Sequence, residues 1–220
     1  MSRKGKPEGL GYNPPPMLEA QRLAARRGFS RLFAGLSFRV VPGEALVVTG
    51  ANGSGKTTLL RMLAGLTAPE VGEIHWQGKR VGSFDPELRA AVAFSGHLPA
   101  LKDGLTAEEN LASLVALEGS PAASDDIAHA LDEVALSRQR TLPARVLSQG
   151  QRRRIGLARL SLAARPLWVL DEPLAALDAA GSALLARMVG RHLANGGVAV
   201  IATHAPLGLP ESRLASLVLS

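Results

Sequence analysis

Residues 45–66 read ALVVTGANGSGKTTLLRMLAGL, an apolar run that breaks into a glycine-rich loop and then resumes as a helix. An unbroken apolar run of that length is the mark of a strand buried on both faces, as in a parallel sheet. After the loop, Leu59, Leu60, Leu63 and Leu66 recur at helical spacing. Between the two, Gly50 to Thr57 fits G-x-x-x-x-G-K-[ST] at every position, in the strand–loop–helix context the pattern needs. The glycines let backbone N–H groups curl around a phosphate with no Cβ in the way. The helix that follows adds about half a positive charge at its N-terminus. Gly50, Ala51, Asn52, Gly53, Ser54, Gly55, Lys56, Thr57 and Thr58 are therefore candidates to cradle phosphates. Lys56 is expected to reach a β- and γ-phosphate, and the Thr57 hydroxyl to take a place on Mg²⁺.

The remaining chain alternates strand and helix signals. Leu18 to Val41 alternates loosely, with Leu36, Phe38 and Val40 on one face, and reads as a strand. ENLASLVALEG and IAHALDEVAL read as short amphipathic helices, with SPAASDD between them as a loop. QGQRRRIGLARLSLAA reads as another helix, LWVLDEP as a buried strand, and VAVIAT as a further apolar strand after one more helix. This order predicts an α/β fold, a mostly parallel sheet with helices on both faces. The strand LWVLDEP delivers Asp171 and Glu172 to its C-terminal end, where such sheets bind ligands. Asp171 is a candidate to hold a metal through water, and Glu172 to orient and polarise an attacking water. Alone, two acids before Pro173 fit a helix cap equally well; behind a complete phosphate loop they fit hydrolysis.

Composition narrows the classes. The 220 residues suffice for one sizeable core, and the absence of cysteine removes disulfides and thiolate metal sites. No apolar run approaches the roughly 20 residues that cross a bilayer, so a cytosolic chain is expected, with any membrane role coming through partners. The net charge of +6 favours anionic partners without choosing among them. Residues 1–16, basic and rich in Gly and Pro, are expected to form a disordered tail, with residues 17–220 as the functional domain and Met17 as an alternative start.

Leu147-Ser-Gln-Gly-Gln151 resembles the LSGGQ signature of the ATP-binding-cassette family, and the resemblance runs from Leu18 to the C-terminus. It implies a RecA-like phosphate-loop ATPase that binds ATP with Mg²⁺, carrying an antiparallel β subdomain and a small helical subdomain at about residues 98–163. It also implies a homodimer, because the signature faces the γ-phosphate bound by the other copy. Ser148 and Gly150 would supply a hydroxyl and a backbone N–H there, with Gln149 in place of the usual glycine. Ala176-Leu177-Asp178 matches the family's loop toward the partner site, and His204 its γ-phosphate-sensing histidine. The Arg152-Arg153-Arg154 run is an ordinary start to the signature helix and not a nucleic-acid site.

Two departures narrow the resemblance. His97 stands where the family places a hinge glutamine that meets metal and water, and Arg27, with Phe29 close by, stands where an aromatic stacks on adenine. Arg27 would then stack on the base as a cation. With GHLPALKDGLTAEENL, LWVLDEPLAALD and THAPL, these residues resemble the ATPases of cytochrome c maturation in bacteria and some organelles. That resemblance implies integral membrane partners, a peripheral place on the cytoplasmic face of the inner membrane, and an ATP cycle that exports heme or releases a heme-loaded chaperone. A cassette for another cargo, such as a lipid or drug, is the alternative. A chromosome-type ATPase needs a long coiled coil where only about ninety residues separate loop and signature. A translation factor would carry two cassettes. The five histidines lack any CxxCH or paired-His context, so direct heme binding is not expected.

Overall fold

The computed structural model describes residues 17–97, 100–119 and 121–220. The tail expected at residues 1–16 lies outside them. β1 (Leu18–Arg27) and β2 (Ser30–Val40) form an antiparallel hairpin, where the sequence reading had expected one strand. The loose alternation has a local cause. Arg22 adopts a left-handed φ of 50° and donates its N–H to Ser37 Oγ at 2.8 Å, and the register shifts around it. The bulge changes parity, so Leu18 and Ala20 before it and Leu23 and Ala25 after it all turn to the core. β4 (Val71–Trp76) pairs with β1, and β5 (Lys79–Val81) completes a four-stranded sheet ordered β2-β1-β4-β5.

The second sheet is parallel throughout and ordered β6-β7-β8-β3-β9. Its strands are β3 (Ala45–Gly50), β6 (Val92–Ser95), β7 (Leu167–Asp171), β8 (Val198–Ala202) and β9 (Leu214–Leu219). Every residue of β7 and β8 is buried, which accounts for their unbroken apolar sequences. The pleat divides them between two cores. Trp168, Leu170, Ala199 and Ile201 face one side, against α3 (Ala107–Leu117), α4 (Ser124–Glu133), α5 (Gln149–Leu162) and α6 (Ala179–Ala194). Leu167, Val169, Val198 and Val200 face the other, against α1 (Lys56–Leu63) and the antiparallel sheet. A short α2 (Pro86–Ala91), capped by Asp85, leads into β6. Helix α1 stops at Leu63, so Leu66 lies beyond it and is 40% exposed, whereas Leu59, Leu60 and Leu63 are buried.

The segment before α3 is fixed by a buried polar residue. The Asn110 amide donates to the carbonyls of Lys102, Leu105 and Thr106 and accepts from the Lys102 N–H. A loop with that many inward carbonyls is stable only if each finds a donor. Thr106 and Glu109 close the helix start with a reciprocal capping box.

At the opposite end of β7, the rings of Trp168 and His192 stack at 4.1 Å and 9°. His192 Nε2 lies 3.0 Å from the Val198 carbonyl. Burial pushes the His192 pKa below its ordinary value, against the pull of hydrogen bonds to Val198 and Pro166. The unfolded chain therefore binds more protons just below the ordinary histidine range of about 6.5, and folding stability falls as pH drops through it. Urea unfolding at pH 7.5 and 5.5 should show this loss in the wild type and a smaller one in His192→Phe.

Candidate nucleotide site

The phosphate loop leaves β3 at its C-terminal end and enters α1. Gly50 is required by the sheet itself: a Cβ there would lie 2.3 Å from the Leu219 carbonyl oxygen of β9 and 2.9 Å from Ser54 Oγ. Gly55 turns the loop into the helix at a φ of 100°, packed against Leu32 and Phe33 of β2. Helix α1 has no side-chain cap and no acid in its first turn, so its N-terminal N–H groups and dipole face the loop unopposed. The Lys56 ammonium is buried among loop carbonyls, donating to Gly50 O at 2.6 Å and Ala51 O at 3.1 Å.

A cleft of about 310 Å³ opens over this loop. It is lined by Asn52, Gly53, Gly55, Lys56, Thr57 and Thr58 of the loop and helix start, by Arg27 and Leu32 of the hairpin, and by His97, Asp171 and Glu172. The structure thus brings together the loop, both acids, Arg27 and His97. Gly50, Ala51 and Ser54 belong to the loop without lining the cleft. Phe29, at the hairpin tip, is fully exposed. The Thr57 hydroxyl donates to Asp171 Oδ2 at 2.8 Å, joining loop to acid strand. A hydroxyl beside a carboxylate at a phosphate loop is the oxygen set Mg²⁺ prefers, since this ion takes one or two protein ligands and completes its shell with water and substrate phosphates.

Glu172 stands at the end of the strand with a φ of 47°, unusual for a residue with a side chain. Its N–H donates to the Ala202 carbonyl at 2.9 Å, and its Oε1 lies 3.7 Å from His204 Nε2. His204 does not line the cleft and approaches it only through Glu172.

Ser148 and Gly150 lie outside the cleft, at the start of α5. Ser148 Oγ accepts from the Gln151 N–H at 3.2 Å, while Gln151 accepts from the Ser148 N–H at 2.9 Å. Gly150 packs on the Ala176 carbonyl, which a Cβ would meet at 2.9 Å. Two adjacent residues of the same helix carry contacts that the sequence pattern does not show. Arg153, only 5% exposed, is the hub of a carbonyl cluster. Its guanidinium donates to Gly96, His97, Asp171, Glu172 and, at 3.5 Å, Pro173. Burial lowers its pKa, opposed by the Asp171 and Glu172 charges. Beside it, Arg154 reaches Asp178 at 2.7 Å. Asp178 also caps α6 through the Gly181 N–H, and these two bonds hold its carboxyl below the usual range. In sequence the three arginines are an undivided charge run, with no signal that the middle one is buried.

The sheet order and the cleft define a phosphate-loop NTPase of the ATP-binding-cassette type. The sequence profile of the ABC transporter family matches residues 33–175. The chain is 48% identical over 198 residues to the cytochrome c biogenesis ATP-binding export protein CcmA 1 of Cupriavidus metallidurans, covering 90% of this chain and 96% of that one. An ABC transporter ATP-binding protein of Pyrococcus furiosus superposes with a TM-score of 0.79 at 23% identity, over 92% of this chain and 96% of that one. An ATP-binding cassette solved as a dimer in a post-hydrolysis state with ADP and Pi superposes at 0.72, with 24% identity over 86% and 88% of the two chains. At those identities the two structures share the fold. The chain belongs to the ABC transporter family, in the branch of the cytochrome c biogenesis ATP-binding export proteins CcmA.

Because the Gly50 Cα abuts backbone, Gly50→Ala must move either β9 or the loop, at a cost of roughly 1–3 kcal/mol. The expected outcome is a lower melting temperature together with weakened binding of a fluorescent ATP analogue, measured on the same preparation.

Proposed function

We propose that the chain is the ATP-hydrolysing subunit of a membrane ABC transporter complex acting in c-type cytochrome biogenesis. The observation that carries the chemistry is the pairing of Thr57 with Asp171 beside Glu172, which places a carboxylate pair against the phosphate loop. The pathway is that of the cytochrome c biogenesis ATP-binding export protein CcmA 1 of Cupriavidus metallidurans, which the chain matches over nearly its whole length.

In this reading the loop N–H groups and Lys56 hold the β- and γ-phosphates of ATP, and Arg27 lies against the base from the cleft wall. Thr57, Asp171 and His97 would hold Mg²⁺, which would supply charge neutralisation to the phosphates. Glu172 accepts a hydrogen bond from the attacking water and turns its lone pair toward the γ-phosphorus. His204 meets the γ-phosphate oxygens from beside Glu172. Positioning and charge stabilisation supply most of the rate in such transfers. Ser148 and Gly150, placed outside the chain's own cleft, complete the site of a second copy, so the working unit is a homodimer. ATP draws the two copies together, and hydrolysis releases them.

No helix among the described residues is long and apolar enough to cross a membrane. The likeness to the CcmA export proteins supports docking on integral membrane partners at the cytoplasmic face of the inner membrane, through the helical segment at about residues 98–163. The cycle drives heme export or the release of a heme-loaded chaperone.

Deleting the gene, staining membranes for covalently bound heme, and complementing with wild type or Glu172→Gln tests both parts. The expected result is loss of c-type cytochromes, restored by the wild type alone. Cytochromes that persist in the deletion, with no second gene copy, would assign the ATPase to another cargo such as a lipid.

A further inference from the structure

Parallel ladders end with carbonyls that have no next strand residue to receive from, and two ladders end side by side here. β6 stops at Ser95 and β7 at Asp171, so the carbonyls of Gly96, His97, Asp171, Glu172 and Pro173 come together where two neighbouring strands end, beside the cleft that His97, Asp171 and Glu172 line. Buried carbonyls of this kind need donors. One side chain from another element reaches them all. Arg153 spends Nη1 on Gly96 and His97, Nη2 on Asp171 and Glu172, and Nε on Pro173. It comes from the first turns of α5, the helix whose N-terminus carries Ser148 and Gly150.

Two features separate this arrangement from ordinary core satisfaction. First, the carbonyl of Glu172 belongs to a residue in left-handed backbone geometry, a conformation that persists only where its surroundings fix it. The Ala202 carbonyl holds the Glu172 N–H, and the Glu172 carbonyl accepts from both Arg153 and, at 3.1 Å, the Ala175 N–H, so the peptide units on both sides are pinned, with Arg153 the link from α5. Second, the same guanidinium grips the His97 backbone on the neighbouring strand's exit. The planar fork of an arginine fits such a set, and a lysine ammonium, with three donors and no fork, does not.

We propose that Arg153 is a positioning residue for hydrolysis, which fixes the backbone of Glu172 and of the His97 hinge in one geometry and ties both to the helix that begins at Ser148. Movement of α5 is thereby transmitted to the carboxylate. The proposal rests on the reading of Glu172 as the hydrolytic carboxylate, and acts through it.

The test uses the full-length chain, with Arg153→Lys, Arg153→Gln, Glu172→Gln and the Arg153→Lys/Glu172→Gln double variant. Steady-state ATP hydrolysis, binding of a fluorescent ATP analogue and thermal melting are measured on each. The expected result for Arg153→Lys is a fall in kcat of roughly tenfold or more, the scale set by misaimed catalytic geometry. KM and analogue affinity should change by less than about threefold, the pattern of an interaction needed in the transition state alone. The double variant should hydrolyse no more slowly than Glu172→Gln, because a residue that works through Glu172 has nothing left to align. Three results would overturn the proposal: an unchanged kcat in Arg153→Lys, a parallel loss of nucleotide binding and melting temperature in both Arg153 variants, or additive losses in the double variant. Full hydrolysis by Glu172→Gln would instead overturn the reading of Glu172, whatever Arg153 does.

Discussion

A parallel sheet has two apolar faces and must cover both, and this demand organises the whole chain. Trp168 and Leu170 need α4, α5 and α6 on one side, while Leu167 and Val169 need α1 and the antiparallel sheet on the other. Once both faces are sealed, ligand chemistry has only the strand ends. At the C-terminal end the phosphate loop leaves β3 and the acids leave β7, with β8 between them. The hydrogen bond from Thr57 to Asp171 spans that gap and draws the acid strand to the loop. The N-terminal ends, where Trp168 stacks on His192, carry packing instead.

Charge burial beside the cleft is balanced locally. Removing a guanidinium from water costs several kcal/mol unless partners replace the solvent. Arg153 meets carbonyl oxygens on two strands and lies near the Asp171 and Glu172 charges, which resist the downward push of burial on its pKa. The arrangement is mutual, since the guanidinium donates to five strand-end carbonyls, of which only that of Glu172 is also seen to accept a backbone N–H, from Ala175. Removing the charge would therefore leave several acceptors unsatisfied at once, which is why a substitution here differs from one at an exposed arginine such as Arg191, paired with Glu133 at the surface.

Much of this was legible in sequence because it is written locally. The phosphate loop, its flanking strand and helix, and the acids after LWVL are contiguous stretches whose residue types state their own geometry. That Arg27 and His97 line the same cleft as the loop is the arrangement that counting along a family resemblance suggests. What escaped has a common origin in long-range pairing. The hairpin of β1 and β2 was hidden because the Arg22 bulge changes the parity that marks a strand. Leu66 fits the helical period yet lies past the helix end, since spacing cannot report where a chain turns. The demand for glycine at position 50 comes partly from Leu219, a residue at the far end of the chain. Arg153 reads as one more basic residue until two strand ends 57 and 18 positions away are brought beside it.

The two helix N-termini near the site illustrate how one chemistry is used in two ways. α1 begins without a side-chain cap, so its N–H groups remain open toward the loop where anions are expected. α5 begins with a capping box, in which Ser148 and Gln151 satisfy each other's backbone. A capped terminus keeps its dipole but offers fewer free donors, so it suits recognition of a charge delivered from outside better than enclosure of one. Gly150, held on the Ala176 carbonyl, fixes how α5 meets the chain leading to Asp178, and Arg154 repeats that tie through its ion pair. In the proposed dimer, a phosphate arriving at α5 would therefore press on a helix already bound to Asp178 by Arg154 and to Glu172 by Arg153. The attraction that assembles the pair and the aim of the hydrolytic carboxylate would then share a single rigid element.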